Sequence, residues 1–172
     1  ADSEGRYLQA DFAGISVISL YLPSGSSSEQ VFAKKMAFMD NFMEHLRALR
    51  RKRREFIICA DWNICHQNID LKNWRPNRKN SGFLPVERAW LDTLYDEVGY
   101  VDSFRVVNTE AEQYTWWSNR GQAWAKNVGW RLDYQMITPK LRETVTGASI
   151  YKDERFSDHA PHIMEYDLEI LA

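Results

Sequence analysis

Hydrophobic and polar positions divide the chain into short stretches with different periods. Residues 6–12 and 15–22 are rich in side chains that fit a pleated surface and flank Ala13-Gly14. This predicts two strands joined as a hairpin. Ser26-Ser27-Ser28-Glu29 supplies capping oxygens, after which Phe32, Met36, Met39, Phe42 with Met43, Leu46 and Leu49 recur every three or four residues. That spacing predicts an amphipathic helix whose methionine stripe packs into a core. Residues 55–60 are a short apolar run bounded by charge, as in a strand buried on both faces, which leaves Asp61 at a strand end. No period holds from 62 to 85, where Asn, Lys, Arg, Pro and Gly dominate, so a long loop of the kind that carries function is expected. Helical spacing returns over 86–98 through Trp90, Leu91, Leu94 and Val98, with Gly99 as its stop. Residues 114–118, 128–138, 145–151 and 162–168 read as strands linked by short turns. Helices and strands interleave and many strands would be antiparallel, so an α+β sandwich fits better than a doubly wound parallel sheet. No repeat or linker divides residues 1–172, and a single domain is expected.

Composition narrows the classes. The 172 residues, 44% hydrophobic and 13% aromatic, suffice for a real core, which excludes a disordered chain. No apolar run approaches the roughly 18 residues of a membrane span, so a soluble protein without membrane association is expected. Cys59 and Cys65 are too few for a disulfide framework and are read as reduced thiols, which a cytoplasmic protein fits best. A net charge of −2 gives no global attraction to nucleic acid, so any phosphate binding must be local. The run Arg50-Arg51-Lys52-Arg53-Arg54 is one local candidate. Cations solvated at a helix end are the simpler account, because a strand begins where the run stops. The chain opens Ala1-Asp2-Ser3-Glu4-Gly5 without a methionine, as a portion of a longer chain would.

Three polar clusters stand at expected strand ends. Asp61-Trp62-Asn63, followed by His66, places two polar side chains at i and i+2, where both could face one pocket or could simply cap a turn. Ser157-Asp158-His159-Ala160-Pro161 sets a carboxylate beside an imidazole that titrates near neutrality. In Asn127-Val128-Gly129-Trp130-Arg131-Leu132-Asp133-Tyr134 an acidic residue lies inside an apolar run. Burying Asp133 unpaired would be costly, so it needs a partner: a histidine, or an arginine such as Arg131 or Arg120.

Together these clusters resemble the exonuclease III family. The successive motifs are Tyr21-Leu22-Pro23-Ser24-Gly25, Asp61-Trp62-Asn63, Ile69-Asp70-Leu71, Gly82-Phe83-Leu84-Pro85 with Glu87-Arg88, Tyr114-Thr115-Trp116-Trp117, the segment ending in Asp133-Tyr134, and Ser157-Asp158-His159-Ala160-Pro161. The resemblance spans essentially the whole chain and implies part of the four-layer α/β/β/α sandwich of the endonuclease-exonuclease-phosphatase superfamily. It implies 3′-to-5′ exodeoxyribonuclease and abasic-site endonuclease activity on double-stranded DNA in base excision repair, with Mg²⁺ as cofactor, Mn²⁺ as a substitute and no obligate protein partner.

By the same resemblance Asp61 is the base for the attacking water and Asn63 holds water and phosphate. His159 stabilises the scissile phosphate, Asp133 orients its ring, and Tyr21 contacts phosphate or the leaving group. Asp158 lies at the metal, with Asp61 and Asn63 beside it. Trp116, Trp130 and Leu132 form an apolar pocket for an extrahelical abasic sugar, while Lys72, Asn77 and Asn80 face DNA. The chemistry agrees, since phosphodiester hydrolysis needs an in-line nucleophile, neutralised equatorial oxygens and a stabilised leaving oxygen.

The family's N-terminal portion, which bears the main metal-binding glutamate and an active-site asparagine, has no counterpart here, so this stretch alone is expected to be weakly active or inactive. A noncatalytic RNA regulator of the same fold, of the catabolite-repression-control type, is the alternative. A phosphoinositide phosphatase or sphingomyelinase of the wider superfamily is a more distant one, and neither is expected to keep both the catalytic set and the apolar pocket.

Overall fold

The computed structural model describes residues 4–169, so residues 1–3 of the opening segment and 170–172 lie outside the described part. Strands β1 (Tyr7–Asp11) and β2 (Ile15–Tyr21) form the expected antiparallel hairpin, turning at Gly14, whose φ of +76° suits glycine. Helix α1 (Glu29–Arg50) begins where the Ser28 hydroxyl oxygen accepts the Val31 N–H at 3.2 Å. It carries the chain across to β3 (Glu55–Asp61), which pairs in parallel with β2. The basic run between them is a helix end and a turn. Arg50 donates to the Val98 carbonyl at 3.2 Å, and Arg54 donates to those of Phe12 and Ile15 at 2.8 Å. Two of its cations thus satisfy backbone, while Arg51, Lys52 and Arg53 are exposed, as the simpler account expects.

The segment after β3 contains more structure than its sequence predicts. It holds a 3-10 turn at Asn68–Asp70 and a four-residue helix, α2 (Trp74–Asn77). The turn is stabilised by burial of Asp70 against Arg131, a long-range pairing that no local period announces. Helix α3 (Pro85–Asp92) widens into a π-helical turn at Thr93–Val98 that stops at Gly99, φ +85°. A short β4 (Val101–Asp102) and helix α4 (Ser103–Val107) follow, neither of them expected.

The expected strand over 114–118 shrinks to β5 (Trp116–Trp117), and that over 128–138 splits into β6 (Gly129–Trp130) and β7 (Asp133–Ile137), which belong to different sheets. The break has a clear cause. The buried Thr115 hydroxyl accepts the N–H groups of Leu132 and Asp133 at 3.0 and 3.1 Å, while Arg131 N–H is taken by the Asp70 carbonyl at 2.7 Å. Those donors are therefore satisfied outside any ladder. A 3-10 turn at Pro139–Thr144 leads to β8 (Val145–Ile150), which pairs antiparallel with β9 (His162–Tyr166).

The main sheet runs β1-β2-β3-β7-β4, and alternation along its strands sends apolar side chains to both faces. Phe56, Ile58, Ile18 and Leu20 pack with Met39, Phe42, Met43 and Leu46 of α1 and with Trp90 and Leu91 of α3. On the opposite face Ile15, Ile57 and Ile137 meet Val145, Met164 and Tyr166 of the β8–β9 hairpin. A mixed sheet between helices and a second β layer is the α+β sandwich expected. Among the described residues no helix is long and apolar enough to cross a membrane.

Candidate active site

Strand register assembles the first part of the site. Tyr21 of β2 lies opposite Asp61 of β3, and Asp61 lies opposite Asp133 of β7. Direct cross-strand neighbours share a face, so three polar side chains form a row at one end of the sheet. Asp61 is held by its own turn: its carboxylate accepts the Asn63 backbone N–H at 2.9 Å and the Asn63 side-chain amide at 3.0 Å. That amide also donates to the Leu22 carbonyl at 2.9 Å. Asn63 adopts φ +51°, a left-handed conformation asparagine tolerates better than most residues. The turn-capping and pocket-facing readings are thus both satisfied by the same pair.

The second part arrives from the loop before β9. Trp117 N–H donates to the Asp158 carbonyl at 2.9 Å and Ala160 N–H to the Thr115 carbonyl at 2.8 Å, which lays this loop along β5. The indole N–H of Trp116 donates to the Asp158 carboxylate at 3.0 Å. His159 Nδ1 lies 2.9 Å from Asp133 Oδ2, and its Nε2 lies 3.9 Å from Asp61 Oδ2. The partner of Asp133 is therefore the histidine. Arg131 turns away to Asp70 and Asp102, at 2.9 and 2.7 Å.

Burial is the larger cause that raises the Asp61 pKa to about 6, and the neighbouring Asp133 charge adds to it. Burial alone would lower the His159 pKa. The hydrogen bond and charge of Asp133, with the charges of Asp61 and Asp158, outweigh it, so the ring titrates above its ordinary value. The site thus combines a carboxylate poised to exchange a proton near neutrality with an imidazole biased toward its charged form.

A hollow of about 770 Å³ collects these groups. Tyr21, Asp61, Asn63, Asp158 and His159 line it, with Asp133 behind the histidine ring. Trp116, Trp130 and Leu132 form an apolar wall, the two indoles edge to face at 6.4 Å. Asn80 reaches the rim, as does Lys79, which the sequence motifs did not single out. Lys72 and Asn77 do not line it: Lys72 is paired with Glu112, while Asn77 donates to the Asn73 carbonyl and accepts from Asn80, both at 2.7 Å. His66 is turned outward to Asp92 at 2.6 Å. A second hollow, of about 710 Å³ around Asp70, Asp102 and Arg131, contains none of the nominated catalytic residues.

Asp61, Asn63 and Asp158 offer hard oxygen donors to one space, which suits an ion such as Mg²⁺ that is held by one or two carboxylates and keeps several waters. Among the described residues no group of three or more His, Cys, Asp or Glu side chains converges as a cage, so these residues would supply only part of an ion's coordination.

The sequence profile of the Endonuclease/Exonuclease/phosphatase family matches residues 3–159. An exodeoxyribonuclease of Bacillus subtilis (strain 168) is 38% identical over 161 residues, covering 93% of this chain and 63% of that protein. DNA repair nuclease APEX1 of Danio rerio is 37% identical over 161 residues, covering 93% of this chain and 51% of its own length. The chain therefore spans between about half and two thirds of these relatives. Among solved structures, a 3′ phosphatase NExo from Neisseria bound to a product DNA hairpin superposes with a TM-score of 0.89 at 26% identity, covering 97% of this chain and 66% of that one. An AP endonuclease from Archaeoglobus fulgidus does so with a TM-score of 0.87 at 25% identity, covering 97% and 68%. The RNA-regulator alternative gains nothing from these relatives, which are named for DNA chemistry.

Proposed function

The chain belongs to the endonuclease/exonuclease/phosphatase family, and on that footing we propose that it forms the catalytic face of a divalent-metal-dependent nuclease acting on double-stranded DNA in base excision repair. The substrate is a phosphodiester bond at an abasic site or near a 3′ end, and the setting is cytoplasmic. The observation that carries this reading is the convergence of Asp61, His159 and Asp133, joined at 3.9 and 2.9 Å, beside the Trp116, Trp130 and Leu132 wall.

Each group has a task the geometry suits. Asp61, with a pKa of about 6, accepts a proton from the attacking water, and Asn63 orients that water through the amide it places beside the carboxylate. His159, biased toward its charged form by Asp133, donates to a nonbridging phosphate oxygen where negative charge grows. Tyr21, on the same row, reaches the phosphate or the leaving oxygen. Asp158, with Asp61 and Asn63 beside it, would hold Mg²⁺, or Mn²⁺ in its place, which supplies charge neutralisation at the phosphate. The indole and leucine wall admits a flipped sugar that lacks a base and rejects a full nucleotide by shape. Asn80 and Lys79 at the rim, with Lys72 and Asn77 further out, contact the duplex.

The test is incision of an end-labelled duplex carrying an abasic analogue by the full gene product in Mg²⁺, beside trimming of an ordinary 3′ end. Metal-dependent cleavage at the abasic position is expected. A protein that binds the duplex and leaves both substrates intact would remove the reading.

A further inference from the structure

The buried stripe of α1 consists of Met39, Phe42, Met43, Leu46, Leu49 and one charged residue, Lys35. Its side chain is 0% exposed, and so is that of its ion-pair partner Glu87, at 2.5 Å. Removing two charges from water costs several kcal/mol per ion, and an apolar pair of similar volume often fills such a place equally well. The contacts show what an apolar pair would not do. Lys35 Nζ also donates to the Asn63 carbonyl at 2.9 Å, gripping the left-handed residue that braces Asp61. Glu87 accepts the Ser81 hydroxyl at 3.0 Å with one oxygen, and the N–H groups of Gly82 and Leu84 at 2.7 and 3.0 Å with the other. Asn63, Ser81, Gly82 and Leu84 all line the catalytic hollow. One buried ion pair therefore links the helix to two walls of the site.

We infer that Lys35 and Glu87 are positioning residues: through the Asn63 carbonyl and the 81–84 segment they hold the Asp61 turn and the facing wall at a fixed separation. Neither lines the hollow, so both act through the residues they hold. The kinetic arm of the test rests on the proposed nuclease reading, whereas the structural arm does not.

The informative variant is Lys35→Met combined with Glu87→Gln. Lys35→Met alone strands a buried carboxylate and is expected to unfold easily. In the double variant the glutamine carbonyl can take over the Gly82 and Leu84 N–H groups, its amide can face Ser81, and only the charges and the grip on Asn63 are lost. The melting temperature is expected to stay within a few degrees of the parent. With an abasic duplex, kcat should fall roughly tenfold or more while KM stays within about threefold, the split expected when alignment rather than substrate binding is lost. In the 172-residue chain, amide exchange at Asn63 should accelerate about tenfold or more, with Gly82 and Leu84 unchanged. A double variant with parental kcat and parental Asn63 exchange would overturn the inference. So would failure of the double variant to fold, because the pair would then serve stability alone. If the parent cuts neither DNA substrate, the nuclease reading fails and the Asn63 exchange decides the inference by itself.

Discussion

Asp133 and His159 meet at 2.9 Å although 26 positions separate them along the chain, and the second nitrogen of the same ring lies 3.9 Å from Asp61. The carboxylate on β7 thus orients the imidazole that faces the hollow and favours its charged form.

Breaking this contact should separate orientation from binding. Asp133→Ala removes the acceptor and the nearest negative charge, so the His159 pKa should fall and the ring should lose its preferred pose. Incision of abasic duplex is expected to slow by roughly a hundredfold or more, the usual scale for a positioned proton donor. Rate assays at saturating metal, with NMR titration of the His159 ring, would check this. Unchanged rate and titration would contradict it.

Asp61 should make the metal-free protein less stable as the pH rises. Its folded pKa of about 6 lies above the ordinary value of 3.8, so folding favours the protonated carboxyl. This stabilisation is fully present below pH 3.8 and is lost as the pH climbs through about 6. Asp61→Asn should therefore raise stability near pH 7.5 by up to about 3 kcal/mol, at 1.36 kcal/mol per pKa unit, and give little gain near pH 3.5, while abolishing incision. Urea unfolding at the two pH values is the measurement, and an equal effect at both would exclude the mechanism.

Arg131 holds a buried charge network rather than the row of Tyr21, Asp61 and Asp133. Its guanidinium, 2% exposed, bonds Asp70 and Asp102, and Arg105 adds a second contact to Asp70 at 2.8 Å. Burial alone would raise the Asp70 pKa, but the arginines overcome it and bring it down to about 2. The stability Asp70 contributes is present above pH 3.8 and is lost as the pH falls through about 2. Arg131→Met, which leaves buried carboxylates without their partner, should cost about 3–5 kcal/mol in denaturant melts at pH 7. A loss under about 1 kcal/mol would show that the network relaxes around water.

Chelation should stop incision, and Mg²⁺ or Mn²⁺ should restore it. Asp158→Asn keeps an acceptor for the Trp116 indole but weakens the ionic ligand. The Mg²⁺ concentration for half-maximal incision is expected to rise about tenfold or more. A metal titration identical to that of the parent would move the ion away from Asp158.

Much of the fold was legible in local patterns. The hairpin at Gly14, the Ser28-capped helix, the buried strand ending at Asp61 and the existence of β8 and β9 follow from period and turn chemistry, which act over a few residues, whereas the pairing of β8 with β9 does not. The 128–138 segment was misleading for a physical reason: its sequence reads as one strand, but the hydroxyl of Thr115 and the carbonyl of Asp70 capture the donors that a single strand would have used. Lys35 escaped notice because a lysine in a helix ordinarily reads as solvent-facing, and only the fold supplies Glu87.

From the sequence alone came the chemical inventory of carboxylates, an imidazole, amides and indoles, ordered as in one nuclease family, whose resemblance implies their roles. Only the tertiary structure decided which groups meet. It chose His159 over Arg131 as the partner of Asp133, brought Asn80 to the hollow and left Lys72, Asn77 and His66 outside. Composition and period report on neighbours a few residues apart, whereas these choices are made by strand register and by which buried charges find partners across the core.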